Sequence, residues 1–291
     1  VENPLLDAAC LLEAASGLPR WRFVLDSGRP IPGGIADRFD SMLLRREARE
    51  PIAYILGTKE FWSLPLAVGY GVLIPRPETE TVVEAVLEKV RRAKSEVRGA
   101  EGADPAPRTP HPALKILDIG TGCGAIALAL ATEIPSARIY ALDCSRAALR
   151  IAGGNAAALG LLDRVHFLEG DLIESLRPAP DRGGFDVIVS NPPYVPSDAL
   201  GSLSPEIIAY EPLEALDGGP DGLRYHRRII EEAPGCLRAG GWLALEVGEG
   251  QSPAVVELLR KSEAFGPAEV RRDLGGRDRV VLSSKIDEAD G

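Results

Sequence analysis

The sequence predicts an α/β protein built on a doubly wound, mostly parallel seven-stranded sheet, with a small helical N-terminal domain and a β-hairpin linker ahead of it. Two patterns carry that reading. From residue 114 onward, apolar runs of strand length alternate with helical segments, the order that builds a parallel sheet with helices on both faces. Gly120-Thr121-Gly122-Cys123-Gly124 falls between the first of those strands and its helix, and open α/β sheets bind ligands at the carboxyl ends of their strands.

Residues 3 to 16 read as a helix, with Asn3 as N-cap, Pro4 at the first helical position, and Gly17 and Pro19 as the stop. A second amphipathic helix is expected over 35 to 49. It has Phe39, Met42 and Leu43 on one face and Arg38, Arg45, Arg46 and Arg49 elsewhere. Those arginines are expected to form a solvated face, the alternative being a docking surface for an acidic or RNA-containing partner. These elements make up an N-terminal domain over 1–50. Between 51 and 75, short apolar and aromatic runs broken by Gly and Pro predict a β-hairpin connector. Leu73-Ile74-Pro75-Arg76-Pro77-Glu78-Thr79-Glu80 then leads into a helix over 80 to 93. Arg76 and Glu78 stand next to prolines, where a stiff backbone can aim them at a substrate or they can simply cap the helix. Residues 94–113 lack an apolar period and read as a flexible insertion.

The remainder of 76–291 is the sheet domain. Strands are expected at 114–119, 138–143, 165–168, 185–190, 241–247, 269–274 and 280–282. Helices are expected at 125–132, 147–159, 225–237 and 253–261. The last two strands flank Gly275-Gly276 and read as an antiparallel hairpin.

Composition narrows the function. Of 291 residues, 45% are hydrophobic and 26% charged, which suits a globular core. The net charge of −10 argues against extensive neutralisation of a nucleic-acid backbone. No apolar run approaches the roughly 18 residues of a membrane span. Val1-Glu2-Asn3-Pro4 does not open a signal peptide. The expectation is a cytoplasmic monomer with no membrane and no stable nucleic-acid partner. Cys10, Cys123, Cys144 and Cys236 form no CxxC pair and match no zinc spacing, so reduced thiols and no metal are expected. His111, His166 and His226 are scattered, with no nucleophile beside them and no catalytic role expected.

The chemistry is expected at Asn191-Pro192-Pro193-Tyr194. The apolar strand 185–190 delivers this corner, and the two prolines end the strand and stiffen the turn after it. The Asn191 oxygen can accept one hydrogen of an NH2 group and a backbone carbonyl the other, while Tyr194 covers a flat group from one side. Such a corner aims a planar amide or amino nitrogen at an electrophile. Glycines in the 120–124 loop let a ligand approach the backbone closely. Asp143 ends the next strand, where a carboxylate accepts from ribose hydroxyls. Asp171-Leu172 follows the third strand, placed to meet a base edge and face. Successive strand ends therefore supply Gly120, Thr121, Gly122, Cys123, Gly124, Asp143, Asp171, Leu172 and Asn191 as the cofactor-binding set.

Asp118-Ile119-Gly120-Thr121-Gly122-Cys123-Gly124 resembles the first motif of class I S-adenosylmethionine-dependent methyltransferases, with their Rossmann-like sheet. Asn191-Pro192-Pro193-Tyr194 resembles the motif of those that methylate amino groups. Beyond this core, nearly the whole chain resembles the HemK/PrmC family, the release factor glutamine N5-methyltransferases. The matching stretches are 51–57, 59–62, 73–80, 210–219 (Tyr-Glu-Pro-Leu-Glu-Ala-Leu-Asp-Gly-Gly) and 275–279 (Gly-Gly-Arg-Asp-Arg). The resemblance implies S-adenosylmethionine as cofactor, S-adenosylhomocysteine as product, and the Gly-Gly-Gln loop of class-1 peptide chain release factors as substrate. It implies catalytic roles for Asn191, Pro192 and Tyr194 and substrate contacts from them, Pro193, Arg76 and Glu78. The 94–113 stretch and Cys123 depart from the usual pattern. Two other readings stay open: a nucleic-acid methyltransferase acting on adenine N6 or guanine N2, and a cofactor-binding regulatory protein without turnover.

Overall fold

The structure, a computed structural model, describes residues 3–25, 28, 30–100, 113–176 and 184–286. Helix α1 (Pro4–Ser16) starts where Asn3 accepts the Leu6 N–H and stops at left-handed Gly17. Two short helices that the sequence reading lacked, α2 (Arg20–Leu25) and α4 (Ile52–Leu56), lie on either side of α3 (Gly33–Glu47). Each is too short to show a helical period. Of the four arginines on and just after α3, Arg38, Arg45 and Arg49 are exposed, as a solvated face requires, while Arg46 is partly buried, and three of them are paired. Arg45 pairs with Glu50, Arg46 Nε lies 2.8 Å from Asp7, and Arg46 and Arg49 both reach Glu206 of the sheet domain. Tyr210 Oη adds a bond to the Ala48 carbonyl.

The expected hairpin is present, with β1 (Thr58–Phe61) antiparallel to β2 (Leu64–Ala67). Its two-residue turn puts Trp62 and Ser63 at φ of 52° and 58°, the left-handed region that hairpin turns of this length need. The turn is braced from outside: Trp62 N–H donates to Glu80, and its indole N–H to Glu133.

Helix α5 (Glu80–Ala100) runs past the expected end at residue 93, so 94–100 are helical rather than part of an insertion. Ala, Lys, Glu and Arg sustain a helix by propensity even where an apolar stripe is missing. The rest of the 94–113 stretch lies almost wholly outside the described residues. Lys89 of α5 is buried, pairs with Glu269 and sits 3.9 Å over the Trp242 ring.

The sheet is made of β3 (Lys115–Ile119), β4 (Arg138–Asp143), β5 (Val165–Glu169), β6 (Phe185–Ser190), β7 (Leu237–Glu246), β8 (Glu269–Arg272) and β9 (Asp278–Ser284), in spatial order β5-β4-β3-β6-β7-β9-β8. The first five run parallel; β9 is antiparallel to both β7 and β8. Helices α5, α6 (Ala125–Glu133) and α7 (Arg146–Ala158) share one apolar core with Ile116, Ile139 and Val187. Helices α9 (Arg224–Glu232) and α10 (Ser252–Lys261) share a second with Leu117, Ile188 and Leu243, while α8 (Pro205–Tyr210) touches the first core through Tyr210. Alternate residues of the central strands thus enter opposite cores, as a pleated strand covered on both faces requires. Chain order reverses between β3 and β6, the topological switch at which such sheets open a crevice. Among the described residues no helix is long and apolar enough to cross a membrane.

Candidate active site

The glycine loop lies at the carboxyl end of β3. Gly120 and Thr121 N–H both donate to the Leu142 carbonyl, folding the loop back onto β4. Gly124 begins α6 at φ 88°, and a Cβ there would stand 3.0 Å from Leu128 and 3.2 Å from Ala152, so both conformation and space demand glycine. Asp143 braces the loop from β4: its Oδ2 accepts the Gly122 N–H at 2.8 Å and its Oδ1 the Ser145 N–H at 2.8 Å. Each oxygen keeps a lone pair for a further donor. Cys123 is buried, and burial pushes its thiol up to about 12, so it stays a neutral small side chain.

Beneath the loop, Asp118 is buried. Its Oδ2 accepts from Thr121 Oγ1 at 2.7 Å and from Ala127 N–H, while Oδ1 has no hydrogen-bond partner. Burial raises its pKa to about 7, against the lowering by Thr121 and Ala127. Asp118 thus takes the N–H of the third residue of α6, while Gly124, the N-cap, supplies no side chain to that first turn.

Asp171 is exposed and pairs with Arg228 of α9 at 3.1 Å. Leu172 beside it holds φ 56°, unusual for a residue with a branched side chain. Strain of this kind concentrates at ligand sites.

Asn191 follows β6, across β3 from the glycine loop. Its Nδ2 donates to Thr79 Oγ1 at 3.2 Å, and among the described residues no donor reaches its Oδ1. Pro192 is buried, and Pro193 and Tyr194 are half-buried. The corner is clamped by three contacts. Gln251 Nε2 donates to the Tyr194 carbonyl at 2.9 Å. Val195 pairs with the 210–219 stretch through Leu216 and Gly218. Gly222 packs so tightly that a Cβ would fall 2.3 Å from the Tyr194 carbonyl oxygen. Burial, then the nearby Glu246 carboxyl, push the Tyr194 phenol up to about 12, so it remains protonated.

Arg76 and Glu78 divide. Arg76 is committed to Glu211 at 2.6 Å, and the other Glu211 oxygen takes the Ile74 N–H, a clasp between the turn and the 210–219 stretch. Glu78 is exposed and lines a cavity of about 360 Å³ with Glu80, Glu84, Asp273, Leu274 and Arg277. The structure thus gathers the glycine loop, Asp143, Asp171, Leu172 and Asn191 at one end of the sheet. It also brings in Thr79, Glu246 and Gln251, which sequence reasoning missed. Glu246 had a signal: an acid closing an apolar strand, as Asp118 and Asp143 do.

The family described as PrmC N-terminal domain matches residues 1–57, and that described as methyltransferase small domain matches 107–211. A release factor glutamine methyltransferase of Moorella thermoacetica is 43% identical over 288 residues, covering 99% of this chain and 94% of that protein. One of Caulobacter vibrioides is 40% identical over 287 residues, covering 98% and 91%. Among solved structures, a methyltransferase from Pyrococcus furiosus superposes with a TM-score of 0.52 at 17% identity, over 85% of this chain and 98% of that one, a likeness of fold.

Proposed function

The chain belongs to the release factor glutamine methyltransferase family, and on that premise we propose that it methylates N5 of the glutamine in the Gly-Gly-Gln loop of class-1 peptide chain release factors, with S-adenosylmethionine as donor. The observation that carries this reading is the Asn191 carboxamide. Thr79 takes its donor end, which leaves an acceptor, Oδ1, at a rigid corner beside the Pro192 carbonyl.

The cofactor site fits its group on three counts. The buried Asp118 Oδ1 lacks a partner, the α6 N-cap Gly124 supplies no side chain to the helix's first turn, and both Asp143 oxygens retain acceptor capacity. Gly120, Thr121, Gly122, Cys123 and Gly124 would hold the group through backbone, Asp143 through its carboxylate, and Asp171 and Leu172 at the third strand end, with Asn191 at the reacting end. When bound, S-adenosylmethionine supplies a methyl carbon on a sulfonium, a leaving group that needs no further activation.

The protein's task is orientation. An amide nitrogen is a poor nucleophile because its lone pair is delocalised into the carbonyl. Asn191 Oδ1 accepts one N5 hydrogen and the Pro192 carbonyl the other, which draws electron density toward nitrogen and fixes the amide plane. The Tyr194 ring packs on that plane, with its hydroxyl turned to Glu246. Positioning and preorganised dipoles of this kind supply most of the acceleration in such transfers. On taking the methyl, whose bond to sulfur would break with its electron pair left on the sulfur of S-adenosylhomocysteine, nitrogen would give up one hydrogen as a proton to solvent. The acidic net charge supports a protein rather than a nucleic-acid substrate. We read the enzyme as a cytoplasmic monomer, with Glu78 and its cavity at the edge of the substrate site.

The test is incubation with labelled S-adenosylmethionine and, separately, a release factor, an RNA and a DNA. Label on the release factor alone, located by mass spectrometry to the Gly-Gly-Gln glutamine, is the expected result. Label on nucleic acid and none on the release factor would replace this reading with exocyclic-amine methylation.

A further inference from the structure

We infer that Glu246 is a positioning residue for methyl transfer: through the Thr79 hydroxyl its ionised carboxylate sets which end of the Asn191 carboxamide faces the substrate. This rests on the reading of the reaction given above.

The geometry comes from sheet register. Ser190 of β6 pairs with Leu245 of β7, so the residues that follow them, Asn191 and Glu246, come side by side at the carboxyl end of the two strands. Thr79, 4% exposed, sits between them on the turn that opens α5. Its Oγ1 accepts from Asn191 Nδ2, and the Thr79 and Tyr194 hydroxyls both interact with the Glu246 carboxyl. Glu246 is 1% exposed and its Oε2 has no partner, so one acceptor stands unsatisfied inside the site.

The charged and titratable groups around Glu246 come from every element packed on it. Arg279 of β9 attracts the ionised form, but its guanidinium bonds go to Asp273 and the Val247 carbonyl. Glu78, on the turn before α5, opposes it. His226 of α9 is buried, is depressed by burial, and meets the Glu246 backbone carbonyl rather than its side chain. Tyr194 stays a phenol. Burial is the largest influence and raises the Glu246 carboxyl to about 7.

Hydrogen-bond polarity then links proton and orientation. A carboxylate only accepts, so the Thr79 and Tyr194 hydroxyls donate to it. The Thr79 oxygen is then an acceptor toward Asn191, which must present Nδ2 to it and Oδ1 to the substrate. A protonated Glu246 carries a hydrogen of its own. It can donate to Thr79, whose hydroxyl hydrogen turns toward Asn191 and draws Oδ1. The carboxamide then shows its NH2 to the substrate's NH2, a donor against donors. A merely structural acid would leave this orientation independent of pH.

The side-chain amide of Asn191 is observable without substrate or cofactor. In 15N-labelled protein, its NH2 resonances should move with a single midpoint near 7, the midpoint shown by the 13C-labelled Glu246 carboxyl. Both changes should vanish in Glu246→Gln. With release factor as substrate, kcat should rise with pH through that midpoint. Glu246→Gln should lose about 10²-fold in kcat and the pH dependence with it, as misorientation at a reacting centre does, while KM for S-adenosylmethionine holds. Thr79→Val should show the same loss, and Thr79→Ser should restore both rate and pH profile; this pair carries the test if Glu246→Gln does not fold. Asn191 resonances indifferent to pH, or Thr79→Val turning over at the wild-type rate, would overturn the inference. Wild-type protein that methylates no release factor would overturn the reading of the reaction instead, and the Asn191 resonances would still decide the role of Glu246.

Discussion

Asn155 Nδ2 donates to the Cys123 carbonyl at 2.9 Å, and the same carboxamide closes a two-way bond with Ala67, accepting its N–H at 2.7 Å and donating to its carbonyl at 3.0 Å. One buried side chain on α7 therefore fastens the connector hairpin to the glycine loop. One carboxamide makes all three bonds, so the hairpin's position and the loop's shape are not independent.

Replacing Asn155 with Ala strands the Cys123 carbonyl and both Ala67 groups. Ala67 is exposed and can turn to water, but leaving the buried Cys123 carbonyl unsatisfied costs about 1–3 kcal/mol. We expect a lower urea midpoint together with weaker S-adenosylmethionine binding by calorimetry. A variant that loses stability but binds the cofactor normally would show that the loop holds its shape unaided.

Asn191→Ala removes the side-chain acceptor at the corner. Deleting one oriented hydrogen bond at a reacting centre lowers kcat by about 10²–10³-fold. Cofactor affinity should stay within a small factor of the wild-type value, because the glycine loop and Asp143 are untouched. Single-turnover methylation of a release factor separates the two quantities.

Gly222 adopts φ 73° and has the Tyr194 carbonyl and Gln251 Nε2 pressed against the place of a Cβ. Gly222→Ala costs about 1–2 kcal/mol from backbone conformation alone. The contact also pushes the Tyr194 carbonyl out of reach of Gln251. Thermal unfolding should report the first effect, and a fall in kcat without a matching rise in the cofactor's dissociation constant the second.

Asp118 and Glu246 are both raised by burial to about 7. The folded state therefore binds their protons more tightly than the unfolded state does. Their contribution is fully present below the ordinary carboxylate range and is lost as pH rises to about 7. The change in stability across that window is of the order of 3–4 kcal/mol for each group. Urea unfolding between pH 4 and 7.5 should show stability falling as pH rises, and Asp118→Asn should flatten the slope. A slope unchanged by that substitution would mean that other groups set it.

Much of the site was legible because it is local. A glycine loop between strand and helix, an acid at the next strand's end, and a proline-locked Asn each announce themselves within a few residues. Thr79 and Glu246 were not legible, because only the pairing of β6 with β7 and the approach of the α5 turn bring them to Asn191. The prolines beside Arg76 left it either aimed at a substrate or capping the helix; its partner, Glu211, is remote in sequence and close in space. The helices α2 and α4 escaped because one or two turns carry no period. Helix α5 exceeded its expected length because helix formers need no apolar stripe to continue a helix already anchored by Lys89.

The placement of β9 between β7 and β8 has a consequence for biosynthesis. In a chain released before residue 278, β7 would pair with β6 on one side and leave Trp242 to Glu246 with unanswered backbone groups on the other. A prematurely stopped chain would thus carry an apolar, open strand edge, the kind that recruits another chain. Chaperone capture and aggregation of such fragments should drop sharply once the chain includes Asp278–Ser284.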